Sequence, residues 1–188
     1  MDENHKLNLL FEEVKQELES IHVPVKLAGK IEIAVAKRNC KRYGCCKQSK
    51  PDESTKIIKT YRRKRYIEYG IYKEHRIEIS KWVLEMEESI IKNTIAHELI
   101  HCLPYCSNHG ENFKRYATYI NQKLGYCVTR VGNKKEDFAK SNREYAEEIY
   151  KYIITCTTCQ QLYKRQRLAK NFLKKYRCGV CGGNLKIV

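Results

Sequence analysis

Residues 97–101 read His97-Glu98-Leu99-Ile100-His101, and no other segment restricts the fold as strongly. The two histidines share a face only on an α-helix, where residues four apart lie one turn above each other. Both imidazoles can then reach one Zn²⁺ at about 2.0–2.1 Å, with Glu98 one position round and able to act as a general base on water at the metal. A catalytic zinc needs a third protein ligand and an open position. His109, followed by Gly110 and then by a helix-like pattern, is the expected third ligand; Glu111 is the other residue near enough in sequence and stays open as an alternative. A helix over about Glu87 to Leu103, closed by Pro104, is therefore expected to carry His97, His101 and the base Glu98. Pro104 and Ser107 stand where a metzincin has its Gly and its third His. His5, His22 and His75 have no ligand-like neighbours and read as ordinary surface or core residues.

The rest of the chain supplies elements around that helix. Leu7, Leu10, Phe11, Val14, Leu18 and Ile21 recur at three- and four-residue spacing, which predicts an amphipathic helix from about residue 5 to Ile21. Ile31, Ile33 and Val35, and later Ile77 and Ile79, alternate with other residues in the two-residue period of strands. Arg38 to Cys46 reads as a turn into a second strand around Gly44, Gln48 to Thr55 as an exposed loop, and residues 57–74 as a basic, tyrosine-rich stretch with a strand ending at Gly70. Phe113, Tyr116, Ala117, Ile120 and Leu124 mark one face of a helix that stops at Gly125.

A second ligand set closes the sequence. Cys156-x2-Cys159 and Cys178-x2-Cys181, with glycines at 179, 182 and 183, have the form of two knuckles clamping one tetrahedral zinc. Four thiolates leave no open position, so this zinc is expected to be structural, holding together a segment too small to bury a stable core. Cys40, Cys45, Cys46, Cys102, Cys106 and Cys127 fit no ligand pattern and are expected to be buried or partly buried thiols. The start of the chain lacks a signal peptide's apolar run, and no stretch approaches the roughly 20 apolar residues of a membrane span. A cytoplasmic, reducing location is expected, nucleoid-associated in a bacterium or nuclear in a eukaryote, with no membrane partner.

Charge is divided unevenly along the chain. The net +15 comes from residues 37–66 (+10) and 114–188 (+12), whereas residues 1–36 (−3) and 67–113 (−4) are mildly acidic. Residues 151–188 hold nine Lys or Arg and no acid. A polyanion, nucleic acid above all, is the expected partner of such a surface, the other reading being a solvated face that keeps the protein soluble. Tyr163, Phe172 and Tyr176 lie among these cations and can either stack on unpaired bases or fill a small core.

Together, the His97 to His101 motif, His109-Gly110-x-x-Phe113, Arg38-Asn39-Cys40-Lys41-Arg42-Tyr43-Gly44, Leu124-Gly125-Tyr126 and the terminal knuckles resemble the SprT-like proteins, which include the Spartan proteases of DNA-protein crosslink repair. The resemblance runs over about residues 5–188. It implies an α+β fold: a zincin-like core at 5–150, built of an N-terminal helix, a small mixed or antiparallel sheet, the metal helix and a second helix, with a four-cysteine zinc ribbon at 151–188. It also implies a catalytic zinc on His97, His101 and His109 with catalytic Glu98, a structural zinc on Cys156, Cys159, Cys178 and Cys181, and DNA-stimulated proteolysis, including self-cleavage, of proteins bound or crosslinked to DNA. The sequence ends seven residues after Cys181, without the long tail of animal Spartan, so a compact bacterial, archaeal or phage member is expected.

Two other functions remain compatible with the residues: a non-proteolytic DNA-binding ribbon protein of transcription or chromatin, and a general metallopeptidase indifferent to DNA. An extended substrate is expected to pair with a sheet edge at Arg76 to Ser80, and His75, Tyr105 and Arg130 are the candidates for stabilising an oxyanion.

Overall fold

The first element, α1 (Glu3–Ser20), buries Leu7, Leu10, Phe11, Val14 and Leu18 along one side. Each such aliphatic or aromatic side chain contributes about 1.5–3 kcal/mol when fully withdrawn from water. The helix gives way at Ile21, and a short 3-10 turn (Val25–Ala28) leads into β1 (Lys30–Val35). The computed structural model describes residues 2–38, 41–61, 64–145 and 149–188, with the side chains at 61 and 64 not described. These residues fall into two units, Met1–Glu144 and Tyr145–Val188.

The first unit mixes helices with two small sheets. β1, β2 (Gly44–Pro51) and β5 (Tyr72–Ile79) form a mixed sheet in the order β1-β5-β2, with β1 parallel and β2 antiparallel to β5. Two expectations are corrected by this register. The polar stretch from Gln48 is not a loop until Pro51, because β2 stays paired with β5 down to Pro51 opposite Tyr72, and Lys47 and Lys50 are balanced by Glu78 and Glu74 across the ladder. Arg76 to Ser80 is not a sheet edge either. Through Ile79 it belongs to the central strand, bonded on both sides, and Ser80 beyond it is held by the Tyr43 and Arg42 carbonyls. The edge nearest the metal helix is β2. β3 (Lys56–Tyr61) and β4 (Lys64–Tyr69) make a separate two-stranded hairpin between β2 and β5, where the sequence suggested one strand.

A short helix α2 (Lys81–Leu84) separates β5 from α3 (Glu88–Cys102), the metal helix. Its apolar residues are distributed all round, as in a core helix, and Ile91, Ile95, Leu99 and Ile100 are buried with α1's apolar face and with Ile77 and Ile79 of β5 in one cluster. α4 (Glu111–Leu124) adds Phe113, Ala117 and Ile120 to that cluster and ends at Gly125, whose φ of 71° terminates it in the left-handed conformation. α5 (Lys134–Lys140) follows, with Phe138 stacked on Trp82 and Asp137 accepting a hydrogen bond from Tyr43.

In the second unit, β6 (Tyr152–Cys156), β7 (Leu162–Arg165) and β8 (Leu185–Ile187) form an antiparallel sheet in the order β7-β6-β8, with the single turn α6 (Phe172–Lys175) between β7 and β8. Its buried core consists of Ile154, Cys156, Cys178 and Leu185, against which Tyr163, Leu168 and Phe172 pack. Among the described residues, no helix is long and apolar enough to cross a membrane.

Candidate metal centre

α3 presents His97 and His101 from successive turns, and the chain then reverses to deliver a third imidazole. Leu103 ends the helix, Tyr105 takes a left-handed φ of 60°, and His109 arrives just before the Gly110 cap of α4. The three Nε2 atoms form a nearly equilateral triangle: 3.2 Å from His97 to His101, 3.1 Å from His101 to His109 and 3.0 Å from His109 to His97. Glu111, the alternative third ligand, points away; its side chain is 84% exposed and pairs with Lys114.

The outer partners decide which nitrogens hold protons. His97 Nδ1 lies 2.9 Å from the Thr129 carbonyl and His101 Nδ1 lies 2.8 Å from the Cys106 carbonyl. A carbonyl only accepts, so both Nδ1 atoms carry the proton and both Nε2 atoms present bare lone pairs toward each other. Lone pairs converging at about 3 Å repel unless a cation lies among them, and zinc–nitrogen bonds of about 2.0–2.1 Å suit a triangle of this size. Burial and the neighbouring imidazoles push His97 down to about 4, and burial also lowers His101 and His109, the latter helped by the Arg130 charge. Neutral imidazoles are what a metal requires. Phe113 forms the floor, with its ring centroid 4.7–4.8 Å from each of the three imidazoles and its own side chain buried.

Glu98 is only 5% exposed, and burial raises its carboxyl to about 7 against the opposing influence of the Arg42 charge and the Cys46 amide. Edge strand β2 lies directly beside it. A Cβ on Gly44 would stand 2.9 Å from Glu98 Oε1, and the Gln48 side-chain amide donates to the His101 carbonyl at 2.7 Å. Cys102 packs one turn below Glu98, with its thiol 3.4 Å from the Glu98 carbonyl and 3.5 Å from the Cys46 sulfur. Of the three oxyanion candidates, Arg130 carries a charge that helps to lower His109. Tyr105 is half exposed, and His75 is buried in β5 with its Nδ1 unpartnered. Among the remaining cysteines, Cys106 is buried and Cys45 and Cys46 are half-buried, whereas Cys127 is exposed and corrects the expectation for it; Cys40 lies outside the described residues.

The second cluster gathers Cys156, Cys159, Cys178 and Cys181, whose sulfurs all lie within 4.8 Å of one another. Amides of Thr158 and Cys159 point at the Cys156 sulfur at 3.4 and 3.5 Å. The Tyr163 hydroxyl, 3.1 Å from Cys178 Sγ, joins the Cys181 amide in holding that thiol down to about 6, which favours the thiolate a metal binds. Gly183 is required sterically, since a Cβ there would meet Thr158 Oγ1 at 2.4 Å. The donor chemistry of both clusters, three imidazoles in one and four sulfurs in the other, suits zinc.

Sequence reasoning overlooked the carbonyls of Thr129 and Cys106, the floor under the triad and the approach of Gly44 to Glu98. Phe113 alone left a signal, as an apolar position following His109-Gly110.

The chain is 27% identical over 115 residues to the Protein SprT-like of Lactiplantibacillus plantarum, covering 61% of this chain and 71% of that protein. It is 34% identical over 99 residues to the Protein SprT-like of Lactococcus lactis, covering 50% of this chain and 55% of the relative's length. That of Bacillus cereus is 29% identical over 121 residues, 62% of this chain and 70% of the relative. The family model for SprT-like proteins matches residues 7–132, which stop short of the four-cysteine unit. Because that match takes in α1, the β1-β5-β2 sheet and all three histidines, the chain belongs to the SprT-like family.

Proposed function

We propose that this protein is a zinc metallopeptidase with a zincin-like core, that it acts on proteins bound or crosslinked to DNA, and that its four-cysteine unit is a structural zinc ribbon. The observation that carries the peptidase reading is the triangle of three Nε2 atoms with the buried Glu98 carboxyl next to it on the same helix. His97, His101 and His109 hold the catalytic ion, and a zinc bound there supplies a Lewis acid that polarises a peptide carbonyl and makes water acidic near pH 7. Glu98 takes the proton from the attacking water and returns it to the leaving amine, a role open to a carboxylate buried next to the triad on the same helix. The substrate pairs in extended form with the outer edge of β2, so main-chain hydrogen bonds supply the affinity and side-chain selectivity is low.

Low selectivity demands control from elsewhere, and the basic surface points to DNA as that control. Two proteins held on one DNA molecule meet at an effective concentration that can reach about mM. Cleavage of a DNA-crosslinked protein, and of the enzyme itself, is expected to be far faster with DNA than without, and to slow as salt rises.

The test incubates wild type and Glu98→Gln with a DNA-crosslinked protein and with the same protein free, each with and without DNA. Loss of the base is expected to lower the rate by roughly 10²–10⁴ while zinc and DNA affinity persist. Equal cleavage with and without DNA would instead indicate a general peptidase. Cleavage that survives Glu98→Gln would remove the assigned base, and none under any condition would leave a non-proteolytic DNA-binding protein.

A further inference from the structure

The β3–β4 hairpin is unlike the rest of the first unit because it stands as a separate two-stranded sheet, hydrogen-bonded between its own strands. Ile57, Ile58, Tyr66 and Ile67 are 38%, 64%, 46% and 55% exposed, so apolar groups face water on both sides of the ribbon. A two-stranded ribbon with both faces in water is marginally stable and lacks the packing partner that would account for such side chains. Its register sorts them. Lys56, Ile58 and Thr60 of β3 lie opposite Tyr69, Ile67 and Arg65 of β4 on one face. On the other face Lys59 is neutralised by Glu68 at 2.5 Å, whereas neither Lys56 nor Arg65 has a carboxylate partner among the described residues.

We propose that the Lys56, Ile58, Thr60, Arg65, Ile67 and Tyr69 face of this hairpin docks in the major groove of duplex DNA, giving the first unit a DNA contact of its own. The inference deepens the DNA-directed reading above and rests on it. Charge complementarity selects the occupant. Residues 56–69 carry six Lys or Arg and one acid, so the same hairpin of a second copy would bring like charge against like, whereas a phosphate backbone is the complement. Shape selects the form. A two-stranded ribbon fits the roughly 12 Å width of the B-DNA major groove, whereas the deep, narrow major groove of A-form RNA does not admit it. The centre of the face is the Ile58 and Ile67 pair, suited to thymine methyls, with Tyr69 at the end opposite Lys56.

The base of the hairpin is tied to the loop that delivers the third histidine. Thr55 Oγ1 accepts from the Gly70 and Ile71 amides at 3.2 and 3.1 Å, and the Tyr105 amide donates to the Gly70 carbonyl at 2.6 Å. A Cβ at Gly70 would stand 2.1 Å from the Tyr105 ring, so glycine permits this closeness. Tyr105 lies between His101 and His109 in the chain, which puts DNA held on the hairpin beside the metal loop.

The test measures binding of the full chain to duplex and single-stranded DNA across a salt series, comparing wild type, Lys56→Ala/Arg65→Ala, and the opposite-face control Lys59→Ala. The double variant is expected to weaken duplex binding by about tenfold and to flatten the slope of log affinity against log salt by about 2, with a smaller change for the control. Its melting temperature should match wild type, since both side chains are exposed, and duplex DNA should slow amide hydrogen exchange in β3 and β4 of the wild type. Unchanged affinity and slope in the double variant, or a loss confined to single strands, would overturn the hairpin assignment while leaving the DNA-directed reading intact. Wild type that binds no DNA would remove both.

Discussion

At the residue scale, the triad depends on groups outside its own three imidazoles. Phe113 is buried and sits against all three imidazoles, so it fixes their planes much as the Thr129 and Cys106 carbonyls fix their protons. Replacing it by Ala removes a large core side chain and leaves the rings free to tilt. Phe113→Ala is expected to destabilise the protein by about 3–5 kcal/mol in denaturant unfolding and to weaken zinc binding by about 10–100-fold in chelator competition. A loss of stability with unchanged metal affinity would reduce Phe113 to a packing residue. His97 and His101 were legible from spacing alone, because four residues on a helix is a local distance. His109 could be named from sequence but not separated from Glu111, because that choice depends on how the loop after Leu103 turns.

At the element scale, β2 and α3 act as a pair. The strand passes so close to the helix that Gly44 has only hydrogen where a side chain would meet the Glu98 carboxylate and Ile79. Gly44→Val is therefore expected to displace Glu98 and reduce cleavage at least tenfold, while zinc content and the helical circular dichroism stay at wild-type values. Full activity in that variant would show that the carboxylate tolerates the shift. The periodicities of α1 and α4 were readable because each buries a face along its own axis, whereas α3, apolar all round, was marked by the spacing of His97 and His101. The extent of β2 was not, since its polar residues are held in the strand by pairing with β5 rather than by burial of their own.

At the scale of the whole molecule, the two units rest on different sources of stability. The first buries an extended apolar cluster through α1, β5, α3 and α4, whereas the second has, among the described residues, a core of Ile154, Cys156, Cys178 and Leu185, two of them from the four-cysteine cluster. Purified protein is expected to hold two zinc ions per chain. Cys178→Ser/Cys181→Ser should lose one and unfold Tyr145–Val188 while the first unit keeps its cooperative melt, because a core this small depends on metal binding to fold. Elemental analysis finding one zinc in folded wild type, or a ribbon that stays ordered in the double variant, would contradict this division. The sequence by itself determined the helical face of His97 and His101, the pairing of Cys-x2-Cys knuckles and the apolar side of α1, all of which depend on distances of a few residues. Only the tertiary structure decided that His109 completes the triangle, that backbone carbonyls 32 and 5 residues away set the tautomers, and that β5 lies between β1 and β2. Backbone carbonyls are the same in every residue, and a strand's neighbours are chosen by long-range packing, so neither leaves a mark in the order of the side chains.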